Sequence, residues 1–111
     1  MFKAIAFGVA LVATVTAAVP TAPQHIVSLK SSRFVPASLV IHSGDTVLFK
    51  NLDSMYHTVT ANDLRFDSGA IPSQGTWSHR FTKTGRYAIF CAYHPKMVGT
   101  IVVVKAKHDL R

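Results

Sequence analysis

The 111-residue chain has a single cysteine, Cys91, no glutamate and one tryptophan. With one cysteine there is no internal disulfide, so the thiol is a free reactive group, an intermolecular link or a ligand. The acidic side is thin. Asp45, Asp53, Asp63, Asp67 and Asp109 face twelve Lys and Arg, for a formal charge of +7. These cations are scattered and form no cluster, which argues against nucleic acid as a partner, while the net charge favours encounters with acidic surfaces. Internal repeats and low-complexity segments are missing too. No stretch after the N-terminal segment has a sustained helical period, which excludes a helical domain.

Long apolar runs are also missing. The longest, Ala4 to Val19, is rich in alanine and falls short of the about 20 strongly apolar residues a spanning helix needs. It follows Met1-Phe2-Lys3 and ends near the small residues Thr16-Ala17-Ala18, the layout of a secretory signal peptide over residues 1–18. The mature chain is therefore expected in the periplasm or an equivalent exported compartment, without stable membrane insertion. An extended lead covers 19–24, one domain covers 25–106, and 107–111 forms a tail.

What is present is a series of short strands broken by turn residues. Ile26–Leu29, Ser38–Ile41, Thr46–Phe49, His57–Thr60, Trp77–Phe81, Tyr87–Cys91 and Thr100–Val104 are rich in β-branched and aromatic residues, and several alternate. Their spacing indicates an all-β fold, an antiparallel Greek-key sandwich or barrel. Trp77, Phe81, Tyr87 and Phe90 read as core. Ala61 to Ser73 reads as loop.

The chemistry is concentrated in Cys91-Ala92-Tyr93-His94-Pro95-Lys96-Met97, at the end of a strand and in the loop after it. A thiolate, an imidazole and a thioether recur at three-residue intervals. Soft sulfur ligands select copper(I), and two histidines with a cysteine and a weak axial methionine make an electron-transfer copper site. Metal coordination also protects a thiolate in an oxidising compartment. The second histidine must come from elsewhere in the fold. His57, just after a turn and at the start of a strand, is the candidate, and Asn51 is expected to brace the cysteine loop through hydrogen bonds. His25, His42, His79 and His108 read as surface or partly buried residues, although a looser second copper site at His25 or His108 is an alternative. Met55 is a rival thioether, but it reads as packing or as an exposed apolar rim.

From His25 to Lys105 the sequence resembles the cupredoxins, and within them it is most similar to the amicyanins. The resemblance runs through Phe34-Val35-Pro36, Gly44-Asp45-Thr46-Val47, Asn51, Asp53-Ser54-Met55, His57, Phe66-Asp67-Ser68-Gly69, Gly85-Arg86-Tyr87, the Cys91–Met97 loop and Gly99. Plastocyanins and pseudoazurins are similar too, but their ligand loops carry two more residues between histidine and methionine. The resemblance implies a β-sandwich holding one type 1 copper ion at one end and transferring single electrons, with His57 buried and the His94 ring edge exposed as the electron port. Tyr56 departs from the family's pattern, which tends to have proline there, and bears on partner choice.

The expected function is a monomeric electron shuttle, not an enzyme, because four protein ligands leave no open position for substrate. It would meet redox partner proteins through an acidic or apolar patch on the partner, with Met55, Tyr56, Tyr93 and Pro95 forming an apolar ring and Lys96 a charged contact. The alternative is a copper-binding protein for buffering, delivery or resistance.

Overall fold

Strand formation follows the alternation of the sequence. In β1 (Gln24–Lys30), Val27 and Leu29 are buried while Ile26 and Lys30 face solvent. In β4 (Thr46–Asn51), Val47, Phe49 and Asn51 are buried, and in β7 (Gly85–Cys91), Tyr87, Ile89 and Cys91. A computed structural model describes residues 24–107. The segment read as a signal peptide, the lead up to residue 23, and residues 108–111 with His108 lie outside the described residues. The other strands are β2 (Arg33–Val35), β3 (Ser38–His42), β5 (Thr60–Ala61), β6 (Thr76–Arg80) and β8 (His94–Val104).

Two four-stranded sheets, ordered β2-β1-β4-β6 and β3-β8-β7-β5, make the all-β sandwich that the strand pattern indicates. The sheets are mixed, whereas antiparallel pairing alone was expected. β1 runs parallel to β4 and β3 parallel to β8. The chain leaves the first sheet after β2, adds β3 to the second, and returns through the turn before Asp45 to lay β4 along β1. Short apolar runs carry no information about strand direction, so this crossover has no local signal.

Between the sheets lie Val27, Leu29, Val47 and Phe49 from one side and Ile41, Ile89, Ile101 and Val103 from the other, each at most 2% exposed. Burying such a side chain contributes about 1.5–3 kcal/mol relative to leaving it in water. An aromatic cluster closes one flank: Phe66 meets Phe81 edge-on at 5.5 Å and His79 at 4.5 Å, and Trp77 stacks on His79 at 5.3 Å. Among the described residues no helix is long and apolar enough to cross a membrane.

The excursion from β4 to β6 positions the site. Only Thr60–Ala61 is strand there, although the β-branched run from His57 suggested a longer one. His57, Thr58, Val59 and Thr60 are all buried, so the run has no alternating face. Its amides serve other bonds: Thr58 N–H donates to Cys91 Sγ and Val59 N–H to Ser68 Oγ. A two-way backbone bridge between His57 and Ile71 (3.2 and 2.8 Å) ties the excursion to itself. The turn from Pro72 to Gly75 needs glycine at its end, where a Cβ would lie 2.9 Å from the Pro72 carbonyl oxygen.

Candidate metal centre

The segment expected as a ligand loop is a tight hairpin. Cys91 ends β7, His94 begins β8 directly opposite it, and only Ala92 and Tyr93 form the turn. A register shift between Phe90 and Cys91 accompanies this closure. The three-residue spacing thus folds cysteine and histidine back onto each other. Three residues further, the inward face of β8 carries Met97, 2% exposed. Cys91 and His57 are fully buried, and His94 is half-buried.

Three of the four residues singled out, His57, Cys91 and His94, converge. His57 Nδ1 lies 3.6 Å from Cys91 Sγ, and His94 Nδ1 lies 3.8 Å from the same sulfur. The two imidazole rings meet at 5.0 Å and 62°. These three donor atoms lie within 4.8 Å of one another, the one such His/Cys/Asp/Glu group among the described residues. Their separations can be tested against a shared ion. Metal–nitrogen and metal–thiolate bonds of about 2.0 and 2.3 Å, spread trigonally, put the donors about 3.7 Å apart. The residues present therefore fit a single copper ion.

The groups around these donors fix their orientation. His57 Nε2 sits 2.7 Å from Asp53 Oδ2, so the ring donates there and its Nδ1 lone pair faces the sulfur. The same carboxylate accepts the Ser31 and Ser32 amides at 2.8 and 2.9 Å. Both serines have positive φ, 54° and 53°, which turns two successive N–H groups toward one anion. Burial alone would raise the Asp53 pKa, but the Ser32 amide, the His57 ring and the Ser31 amide together hold it below its ordinary value. On the sulfur side, Thr58 N–H donates to Cys91 Sγ at 3.3 Å. The Thr58 hydroxyl accepts the Ala92 amide at 2.8 Å, which pins the hairpin turn.

Asn51 is buried and bracing, but not at the expected place. Its Nδ2 donates to the Met55 and Ile71 carbonyls and its Oδ1 accepts the Asp53 amide, so it holds the turn before His57. The cysteine hairpin is braced by Thr58 instead. Neither Asp53 nor Thr58 was assigned this role from the sequence; the four-residue step from Asp53 to His57 was the only available sign. The rival Met55 is 46% exposed, with Tyr56 at 58% and Tyr93 at 54%. His25 and His42 flank Asp45, with His25 Nε2 2.9 Å from its carboxylate and His42 at 4.0 Å. His79 stacks within the aromatic cluster.

Comparison with known proteins agrees with this arrangement. The sequence model for a cupredoxin-like domain matches residues 3–103. Chloroplastic plastocyanin of Pisum sativum is 30% identical over 118 aligned positions, covering 87% of this chain and 70% of that protein. A copper(I) structure of an amicyanin variant superposes with a TM-score of 0.69 at 27% identity, over 73% of this chain and 82% of the other. A copper-containing nitrite reductase from Thermus scotoductus is similar over 76% of this chain but only 23% of its own length, at 27% identity and a TM-score of 0.71.

Proposed function

The chain belongs to the cupredoxin-like family, and from that membership we propose that it is an exported electron carrier whose copper is held by His57, Cys91, His94 and Met97. The observation that carries the reading is the placement of two imidazole nitrogens 3.6 and 3.8 Å from one buried sulfur. When bound, copper supplies one-electron chemistry by cycling between its +1 and +2 states. Cys91 would contribute a thiolate, His57 and His94 an imidazole nitrogen each, and Met97 a thioether.

The protein's part is to keep these donors still. Asp53 holds the His57 tautomer and ring angle, and Thr58 holds both the sulfur and the turn beyond it. Rigid donors limit rearrangement on electron transfer. Four protein donors also leave no open position for a substrate, which favours a carrier over an enzyme. Three of the four are buried, which favours retention of the metal over delivery to another protein.

His94, half-buried, is the route to the surface. Arg33, Tyr93, Pro95 and Lys96 line one hollow with it, and Met55 and Tyr56 are exposed close by in sequence to His57. Apolar area beside two cations, with no carboxylate in the hollow, suits brief docking of an acidic redox partner on a small interface. The composition of residues 1–18 supports export to the periplasm, and a monomer suffices for the site.

Copper(II)-loaded protein should show an intense visible band from thiolate-to-copper charge transfer, and Cys91→Ser should abolish it. A band that survives the substitution overturns the ligand assignment. Mixing the reduced copper protein with an apo copper acceptor separates carrier from delivery: the carrier keeps its metal, and net transfer to the acceptor would reject the electron-carrier reading.

A further inference from the structure

Among the described residues the acids are occupied internally. Asp45 is bonded to His25, Asp53 to His57, and Asp67 to Thr60 and Gly69. Among the described residues, one Lys or Arg forms an ion pair, Arg65 with Asp63. The cationic surface is therefore largely uncompensated. At one place it becomes concave. A crevice of about 180 Å³ beside the aromatic cluster is lined by Arg65, Arg80 and Lys83 together with His79, Phe81 and Tyr87, and no carboxylate lines it.

We propose that this crevice is a binding site for one oxyanion, a carboxylate or phosphate group, independent of the copper centre. Two features prepare it. Arg80 is anchored through Nε to the Gly44 carbonyl at 3.1 Å, and Arg65 through Nε to Asp63, while the Arg65 guanidinium lies 4.8 Å over the Tyr87 ring. Both guanidiniums are thus held by their inner nitrogen, and the paired terminal nitrogens remain for a two-point contact with an oxyanion. Holding them in advance lowers the ordering cost of binding. Lys83 is fixed at the backbone, since its carbonyl accepts the Tyr87 hydroxyl at 2.7 Å.

The size of the crevice limits the ligand to a single small group, because sites for larger organic molecules run to about 300–1,000 Å³. Tyr87 precedes Cys91 by four residues along β7, about 13 Å at strand rise. An acidic side chain of a partner or a free ion could fill the site without contact with the metal donors.

The test is a 1H–15N correlation titration of the protein with inorganic phosphate in one arm and a hexa-aspartate peptide in another. Each arm is run against sodium chloride at matched ionic strength. Saturable shifts at Thr82, Lys83 and Tyr87 are expected in at least one arm. Binding of phosphate alone identifies a free-ion site, and binding of the peptide identifies a seat for a protein carboxylate. Lys83→Gln and, separately, Arg80→Gln should each weaken binding about tenfold, the loss of one charge-assisted hydrogen bond. Arg86→Gln, on the opposite face of β7, should leave it unchanged. Shifts that chloride reproduces, that spread over all the lysines, or that persist equally in both crevice variants overturn the proposal.

Discussion

Asp53 accepts a hydrogen bond from His57 Nε2 at 2.7 Å, across one four-residue step of chain. This bond reaches from the surface to a fully buried ring, and it leaves the opposite ring nitrogen aimed at Cys91. Loss of such an outer partner commonly lowers metal affinity about 10–100-fold. Asp53→Ala should weaken copper binding by that order in a competition titration against a chelator. Asp53→Asn keeps a neutral acceptor and should fall between the two. Equal affinity in wild type and Asp53→Ala would show that the ring is oriented by its packing alone.

Thr58 links the His57 segment to the cysteine hairpin, and its hydroxyl is the acceptor for the Ala92 amide. Thr58→Val preserves the volume of this buried residue and removes the acceptor. An amide left without a partner costs about 1–3 kcal/mol. The urea midpoint should fall accordingly, at an unchanged denaturant slope, while Thr58→Ser retains most of the stability. A Val variant as stable as wild type would mean that water replaces the hydroxyl.

Much of this site was readable in the chain before its fold was known. Cys91 and His94 announce themselves by spacing, because a hairpin with a two-residue turn brings positions three apart face to face, and Met97 follows three residues on along β8. His57 rested on its place after a turn and on family resemblance. What stayed hidden is instructive. Asp53 and Thr58 are common surface-type residues whose roles depend on where the excursion from Leu52 to Gly75 folds back. Asn51 was recognised as a brace, yet its partners are the Met55 and Ile71 carbonyls, and backbone acceptors have no sequence signature. The parallel pairing of β1 with β4 escaped for a related reason: alternation specifies which face is buried, not the direction of a neighbour.

His79 gives the pH response a defined sign. Burial in the aromatic cluster lowers its pKa below the ordinary 6.5. The unfolded chain therefore binds the proton more readily than the folded one. The stability tied to neutral His79 is fully present above pH 6.5 and is lost as pH falls through the depressed folded value. Urea midpoints measured from pH 7.5 down to 5 should decline less steeply in His79→Phe than in wild type. The difference between the two curves isolates this residue from the other histidines. Parallel curves would rule out the burial effect.

Met97 is buried at 2%, whereas Met55 is half exposed, and Met97 is the thioether we propose as the fourth donor. A thioether in that position donates electron density that favours the oxidised ion, and the axial ligand is one of the levers that set the potential of such sites. Met97→Leu keeps the apolar volume and removes the sulfur. The reduction potential should rise by at least about 60 mV, a tenfold shift toward copper(I) for a one-electron couple. The visible thiolate band should persist, since Cys91, His57 and His94 are untouched. Met97→Ala makes a useful comparison, because a small residue admits water or an added anion to the vacated axial position, and its potential should respond to azide while that of the leucine variant does not. A potential unchanged in Met97→Leu would remove the thioether from the coordination sphere and leave Met97 as a core residue at the end of the sandwich.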